Sequence, residues 1–289
     1  MNPLTIRILV SGFFYGSLKT YIYISMEGSS LFTIKNYVTA ESLEQAYELN
    51  KKRNNVILVG TGWLKMGNRN IQTAIDLSNL GLDKIEEDEE YFKIGCMCTL
   101  RQLETHESLN SYFDGTIRKS VIHIVGVQFR NCATIGGSIY SRFGFSDILT
   151  CFLALDSYVE LYKGGIIPLN EYKDMKYDND VLVRVLVKKD KRKVSYMTYR
   201  NTATDIPTLA VAVSKNNENW NIVIGARPEK AVLLDGSPFL SSNPTEDERN
   251  NLISHIMSNV SFGSNMRGSS EYRKILAKAL VTRAIDEVH

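Results

Sequence analysis

Residues 130–139 read Arg-Asn-Cys-Ala-Thr-Ile-Gly-Gly-Ser-Ile, and Ser146-Asp147 then leads into the apolar run Ile148–Leu155. The stretch from Arg130 to Asp147 breaks the hydrophobic periodicity on both sides of it. The adjacent glycines Gly136 and Gly137 let backbone come close to a ligand, with amides and the hydroxyls of Thr134 and Ser138 as donors. Upstream lies a second loop of the same kind. Val56-Ile57-Leu58-Val59 is a short buried strand by its β-branched content, and it runs into Gly60-Thr61-Gly62-Trp63-Leu64. Either loop alone is compatible with an ordinary turn. Two together form a place where a diphosphate could be held.

Outward from these loops the pattern alternates strand and helix. Thr39 is expected to cap a helix with Glu41 and Glu44 in its first turn and Lys51, Lys52 and Arg53 at its end, the order that complements the helix dipole. Ile71–Leu77 reads as a strand, and Lys84-Ile85 with Tyr91–Gly95 as a hairpin around the acidic turn 86–90. Thr99 caps a short helix through His106, Thr116–Gly126 is a second helical stretch, and Tyr158–Tyr162 is a strand. The character changes near 174–180. Val181–Val187 and Val194–Tyr199 flank a basic turn, and Leu209–Val213 and Asn221–Ile224 are further strands. Thr245 with Glu248 forms a capping box ahead of Ile253, Ile256 and Met257. A last helix from about Ser270 is expected to present Tyr272, Ile275, Leu276, Ala279 and Leu280 on one side. Strands followed by terminal helices predict an α+β module at the C-terminal end.

The 289 residues suffice for two domains, and 34 basic against 32 acidic residues argue against wrapping a polyanion, so no nucleic-acid partner is expected. Cys96, Cys98, Cys132 and Cys151 give neither a disulfide framework nor an iron–sulfur run, which fits a reducing, cytoplasmic compartment. Cys96 and Cys98 read as inert core thiols, and four scattered histidines make no metal site. No P-loop, dinucleotide fingerprint or nucleophile elbow is present. Leu4–Ser25 is interrupted by Arg7 and Lys19 and lacks the roughly 20 uninterrupted apolar residues of a membrane span, so no membrane partner is expected. Residues 1–29 read as an extension of uncertain status, ahead of units at 30–172 and 173–289.

These residues carry a resemblance to the FAD-binding, or medium, subunit of the molybdenum hydroxylases, the family of xanthine dehydrogenase and carbon monoxide dehydrogenase. It runs from about Phe32 to Arg283. Its most specific part is Arg130-Asn131, Thr134-Ile135-Gly136-Gly137 and Ile139, followed by Ser146-Asp147 and Leu153-Ala154-Leu155-Asp156. Gly268–Arg273, with Leu276, Leu280-Val281 and Arg283, resembles the family's closing helix. The resemblance implies an α+β fold: a split FAD-binding domain of the vanillyl-alcohol oxidase (PCMH) type, then a C-terminal domain of strands and helices. It implies that Leu58, Val59, Gly60, Thr61, Gly62, Trp63 and Leu64, with Thr134, Gly136, Gly137 and Ser138, hold the FAD diphosphate. Asp147 would accept from cofactor hydroxyls and Leu182 would lie against the isoalloxazine. Trp63 could equally shield the cofactor or plug the core, and Asp147 could merely cap the following segment.

The implied role is electron transfer without a catalytic acid or base. Electrons would come from a 2Fe–2S partner subunit, beside a molybdopterin-binding large subunit, and leave to NAD or another acceptor. The rival readings are an assembly subunit without FAD and a free-standing flavin reductase. Departures from the family pattern are Thr61 in place of a glycine, Ser138 in place of Asn, Met197 in place of a basic residue near Arg200, and the bulky Tyr140, Arg142 and Phe143. A lone Arg142 is expected in solvent.

Overall fold

The computed structural model describes residues 32–289; the extension at 1–29 lies outside the described residues. The first layer is a three-stranded parallel sheet in the order β1-β3-β2, from β1 (Thr33–Thr39), β2 (Asn55–Leu58) and β3 (Asn70–Asp76), crossed by α1 (Leu43–Asn50). Thr39 is not the cap of α1. It closes β1 opposite Asp76, and the Ser42 hydroxyl accepts the Gln45 amide at 3.1 Å, which places Glu41 before the helix and Lys51–Arg53 after it.

A five-stranded antiparallel sheet follows, in the order β4-β5-β8-β6-β7. Its strands are β4 (Ile85–Glu87), β5 (Tyr91–Gly95), β6 (Ser157–Leu161), β7 (Gly165–Pro168) and β8 (Leu182–Lys188). Between β5 and β6 run six short helices: α2 (Leu100–Thr105), α3 (Glu107–Tyr112), α4 (Thr116–Val121), α5 (Val127–Arg130), α6 (Ile135–Ser141) and α7 (Asp147–Ala154). The helix expected at Thr116–Gly126 ends five residues early, and the aperiodic stretch after Arg130 contains α6. Its paired glycines conceal a helix whose N-cap is the Thr134 side chain. The short α8 (Leu169–Tyr172) follows β7.

β8 is the middle strand of this sheet, between β5 and β6, so it does not pair with the strand after the basic turn. The change from the second sheet to the third falls within residues 189–192.

The third sheet is antiparallel, β12-β11-β10-β9, from β9 (Lys193–Tyr199), β10 (Leu209–Asn216), β11 (Asn219–Gly225) and β12 (Val232–Asp235). Strand periodicity divides β10 between two cores. Ala210 and Ala212 join the core beneath α4 and α7, while Leu209, Val211 and Val213 face α9 (Glu246–Asn259) and α10 (Ser270–Val288). Alanine on the α7 side allows close approach. A Cβ on Gly225 would lie 2.0 Å from the Thr150 hydroxyl of α7.

The capping box of Thr245 and Glu248 forms. The buried stripe of α10 is Arg273, Ala277, Leu280, Val281, Ala284, Ile285 and Val288. Tyr272 and Ile275, expected on that face, point outward, because the sheet lies against a stripe rotated by one position.

Candidate functional site

The two glycine loops meet, and the glycines are required first for that meeting. Gly60 has φ +66°, and a Cβ there would stand 2.8 Å from the Cys132 carbonyl and 3.0 Å from the Thr134 amide. Gly137 faces the Val59 carbonyl, 3.1 Å from where its Cβ would be, and a Cβ on Gly136 would stand 2.5 Å from the Cys96 carbonyl. The loops therefore touch backbone to backbone, which side chains would prevent.

Their amides are not equivalent. In α6 the first turn is already committed: Ile135 donates to Cys98 O and Gly136 to Cys96 O, each at 2.9 Å, Gly137 to Thr134 Oγ1 at 3.2 Å and Ser138 to Thr134 O at 3.1 Å. The amides of Gly60, Gly62, Trp63 and Thr134 have no protein acceptor among the described residues. The free donors thus come mainly from the first loop, and the second loop supplies close approach. This division cannot be read from the glycine pattern.

Above the loops lies a cavity of about 570 Å³. It is lined by Val59 to Leu64, by Thr134 and Gly136 to Ser138, and by Asp147 and Leu182. Of the residues expected to hold the cofactor, Leu58 alone lies off this wall; it ends β2 opposite Asp76. Trp63 is neither a core plug nor enclosed. It is 49% exposed and packs against Phe143 and Phe145, each 5.4 Å away between ring centroids. Tyr140 and Phe143 line the cavity, but Arg142 turns away from it and is buried.

Asp147 is the first residue of α7, while the cap itself is Ser146, whose hydroxyl accepts the Leu149 amide at 3.1 Å. Two partners from β9 and the residue after it reach Asp147: the Tyr196 hydroxyl donates to Oδ1 at 2.5 Å, and the Arg200 guanidinium bonds the same oxygen. Oδ2 takes no hydrogen bond among the described residues. Burial pushes the Asp147 carboxyl above its ordinary range, and Arg200 and Tyr196 pull it back. Burial beside Asp147 raises the Tyr196 phenol well above its ordinary value, so it stays a donor. Sequence reasoning missed Tyr196 as the holder of Asp147, and missed Phe145, Asn179-Asp180 and Thr204–Pro207 as lining residues. They carry no local motif, and the fold alone assembles them.

Burial pushes the thiols of Cys96, Cys98 and Cys151 up to about 12, as expected of core cysteines, while Cys132 is exposed. Among the described residues no cluster could hold a metal, and no helix is long and apolar enough to cross a membrane.

The site's features suit a dinucleotide: uncommitted amides beside a glycine cradle, a partly apolar cavity, and a lining carboxylate bonded through one oxygen. Comparison with known proteins agrees. The chain is 24% identical to the uncharacterized protein YgfM of Escherichia coli K12 over 257 residues, 86% of this chain and 94% of that one. It resembles a chain of quinoline 2-oxidoreductase from Pseudomonas putida 86 with a TM-score of 0.78 at 18% identity, covering 88% of this chain and 96% of that one. A chain of carbon monoxide dehydrogenase from Hydrogenophaga pseudoflava matches with a TM-score of 0.77 at 19% identity, over 88% and 96%. Residues 31–189, more than half of the chain, match the model of the FAD binding domain in molybdopterin dehydrogenase. The α+β fold and the two-loop cradle thus have one explanation: the chain belongs to the family of FAD-binding domains of the molybdopterin dehydrogenases.

Proposed function

We propose that this chain is the electron-transfer subunit of a molybdenum hydroxylase, receiving electrons from iron–sulfur centres of a partner and delivering them to an acceptor. The observation that carries this reading is the junction of the glycine loops, where the free amides of Gly60, Gly62, Trp63 and Thr134 border the cavity. When bound, FAD supplies the exchange between one-electron and two-electron carriers.

The chain's own residues bind and orient. The first loop donates amides to the diphosphate, and the glycines keep both loops close enough to enclose it. Oδ2 of Asp147 accepts from ribityl hydroxyls, with Arg200 and Tyr196 fixing the carboxylate by its other oxygen. Leu182, at the start of β8, offers an apolar surface to the flavin ring. Trp63, Phe143 and Phe145 restrict water at the rim. The described residues hold no iron–sulfur cysteine set, so the electron donor is assigned to a 2Fe–2S subunit and substrate oxidation to a molybdopterin subunit. NAD is one candidate acceptor.

The test is the flavin content of the purified chain and of Gly60→Ala. The wild type is expected to show flavin absorbance with stoichiometric FAD, and the variant to lose most of it, since its new Cβ lies 2.8 Å from the Cys132 carbonyl. Equal flavin content in both would remove the loop junction from the binding site. Co-purification with a 2Fe–2S subunit tests the electron-transfer role separately.

A further inference from the structure

Arg142 is conspicuous on two independent counts. It sits at the C-cap of α6 in left-handed backbone, φ 48° and ψ 35°, where glycine or Asn is the usual residue. Its side chain is also 3% exposed yet meets no carboxylate among the described residues. Instead the guanidinium lies between two aromatic faces, 4.1 Å from the Tyr172 ring centroid and 4.6 Å from that of Tyr177. Nη1 donates to the Met175 carbonyl at 2.6 Å, and Nε has no partner among the described residues. A desolvated cation is held here by aromatic faces and one carbonyl, an arrangement in which cation–π attraction is at its strongest.

What it holds is the irregular segment 173–180. This strap has no ladder of its own: backbone turns tie its first residues to α8, the Asp180 carboxylate accepts the amides of Lys163 and Gly164 at its far end, and between them side chains hold it by backbone carbonyls and by Tyr177. Lys230 Nζ reaches Lys173 O at 3.0 Å, and Asn50 Nδ2 reaches Asn179 O at 2.8 Å. The Tyr177 hydroxyl donates to Ser141 O at 2.8 Å, and its ring packs on Tyr140 at 5.6 Å. Tyr140, Ser141 and Arg142 all belong to the end of α6, the helix whose first turn carries Gly136 to Ser138. The strap's far end, Asn179-Asp180, is wall of the cavity.

We propose that Arg142 is a latch: by clamping Tyr172 and Tyr177 it holds the 173–180 strap against the cavity and slows release of a bound flavin. It is a positioning residue and touches nothing in the cavity itself. The release half of this inference rests on the FAD reading; the latch half does not.

The experiment uses the full chain and two variants, Arg142→Met, which keeps volume without charge, and Tyr177→Ala, which removes one face from an exposed position. Trypsin cleavage after the exposed Lys176 reports strap opening, and cleavage after Lys278 in α10 controls for global unfolding. FAD fluorescence on dilution reports release. Both variants are expected to cut at Lys176 about ten-fold faster, with unchanged cutting at Lys278 and about ten-fold faster FAD release. Arg142→Lys should recover only part of the protection, since a compact ammonium fills the aromatic sandwich less well than a planar guanidinium. Unchanged Lys176 cleavage in both variants overturns the latch. Faster cleavage with unchanged FAD release overturns the link from strap to cavity. Faster cleavage in both variants than in the wild type, when none of the three chains holds FAD, supports the latch and defeats the cofactor reading instead.

Discussion

Thr61 is the residue at which the first loop departs from glycine, and its backbone makes the departure measurable. Its φ is +52°, in the left-handed region, where a β-branched side chain is an outlier. The loop is held there by backbone: the Thr61 amide donates to Val59 O at 2.8 Å and its carbonyl accepts from Lys65 at 3.1 Å. Among the described residues no hydrogen bond from the Thr61 hydroxyl compensates. An L-residue in this region costs about 1–2 kcal/mol relative to right-handed backbone. Glycine escapes that cost but gives up about 0.4–1 kcal/mol through the greater freedom of its unfolded chain. Thr61→Gly should therefore stabilise the protein by roughly 0.5–1 kcal/mol, a rise in Tm of about 1–3 °C for a chain of this size. Thermal unfolding followed by far-UV circular dichroism on flavin-free protein measures this without reference to the cofactor. Thr61→Ala, which keeps the Cβ, should recover little of the gain. A Tm for Thr61→Gly at or below wild type would refute the strain argument and mean that the threonine side chain supports the loop.

Other consequences are open to direct test. In native protein only Cys132 should react rapidly with a thiol reagent, against four cysteines in denaturant, because burial holds the other three thiols at about 12; two or more fast thiols would contradict the packing around β5 and α7. Asp147→Asn should cost about 3–5 kcal/mol in urea unfolding, since it leaves the buried Arg200 charge without its partner, whereas Asp147→Asn with Arg200→Met should cost less than Asp147→Asn alone. Lys93, with the amides of Tyr91 and Glu90, holds the Asp88 carboxyl down at about 2, below its ordinary 3.8. Its contribution is therefore complete above about pH 4 and fades as pH falls toward 2; Asp88→Asn should flatten the fall of Tm across that window, and an unchanged slope would count against the Lys93 contact.

The readings that succeeded from sequence depend on local rules. A strand running into glycines, a Thr three residues before a Glu, and alternating apolar residues in β10 are each decided within a few residues by backbone sterics, capping geometry and the twofold strand period. The two loops and the family resemblance were legible for the same reason, because glycines at a backbone junction leave little freedom of choice. Where several local signals competed, tertiary contact chose. Thr39 offered a cap, but pairing with Asp76 claimed it for β1 and left Ser42 to start α1. Gly136-Gly137 read as a break, yet the bonds of Ile135 to Cys98 O and of Gly136 to Cys96 O, with the Thr134 hydroxyl accepting from Gly137, hold this turn in a helix.

Other features have no local signal at all. Only the fold places β8 between β5 and β6, turns Arg273 rather than Tyr272 toward the third sheet, brings Tyr196 and Arg200 to Asp147, and seats Arg142 between two tyrosines. Each depends on surfaces contributed by distant segments, and burial of a charge is tolerated only where those segments supply its partners. The sequence by itself determined that a glycine cradle exists and which segments build it. The tertiary structure decided which amides remain free to bind, because those of Thr61 and of Ile135 to Ser138 are taken by neighbouring carbonyls or the Thr134 hydroxyl while those of Gly60, Gly62, Trp63 and Thr134 are not.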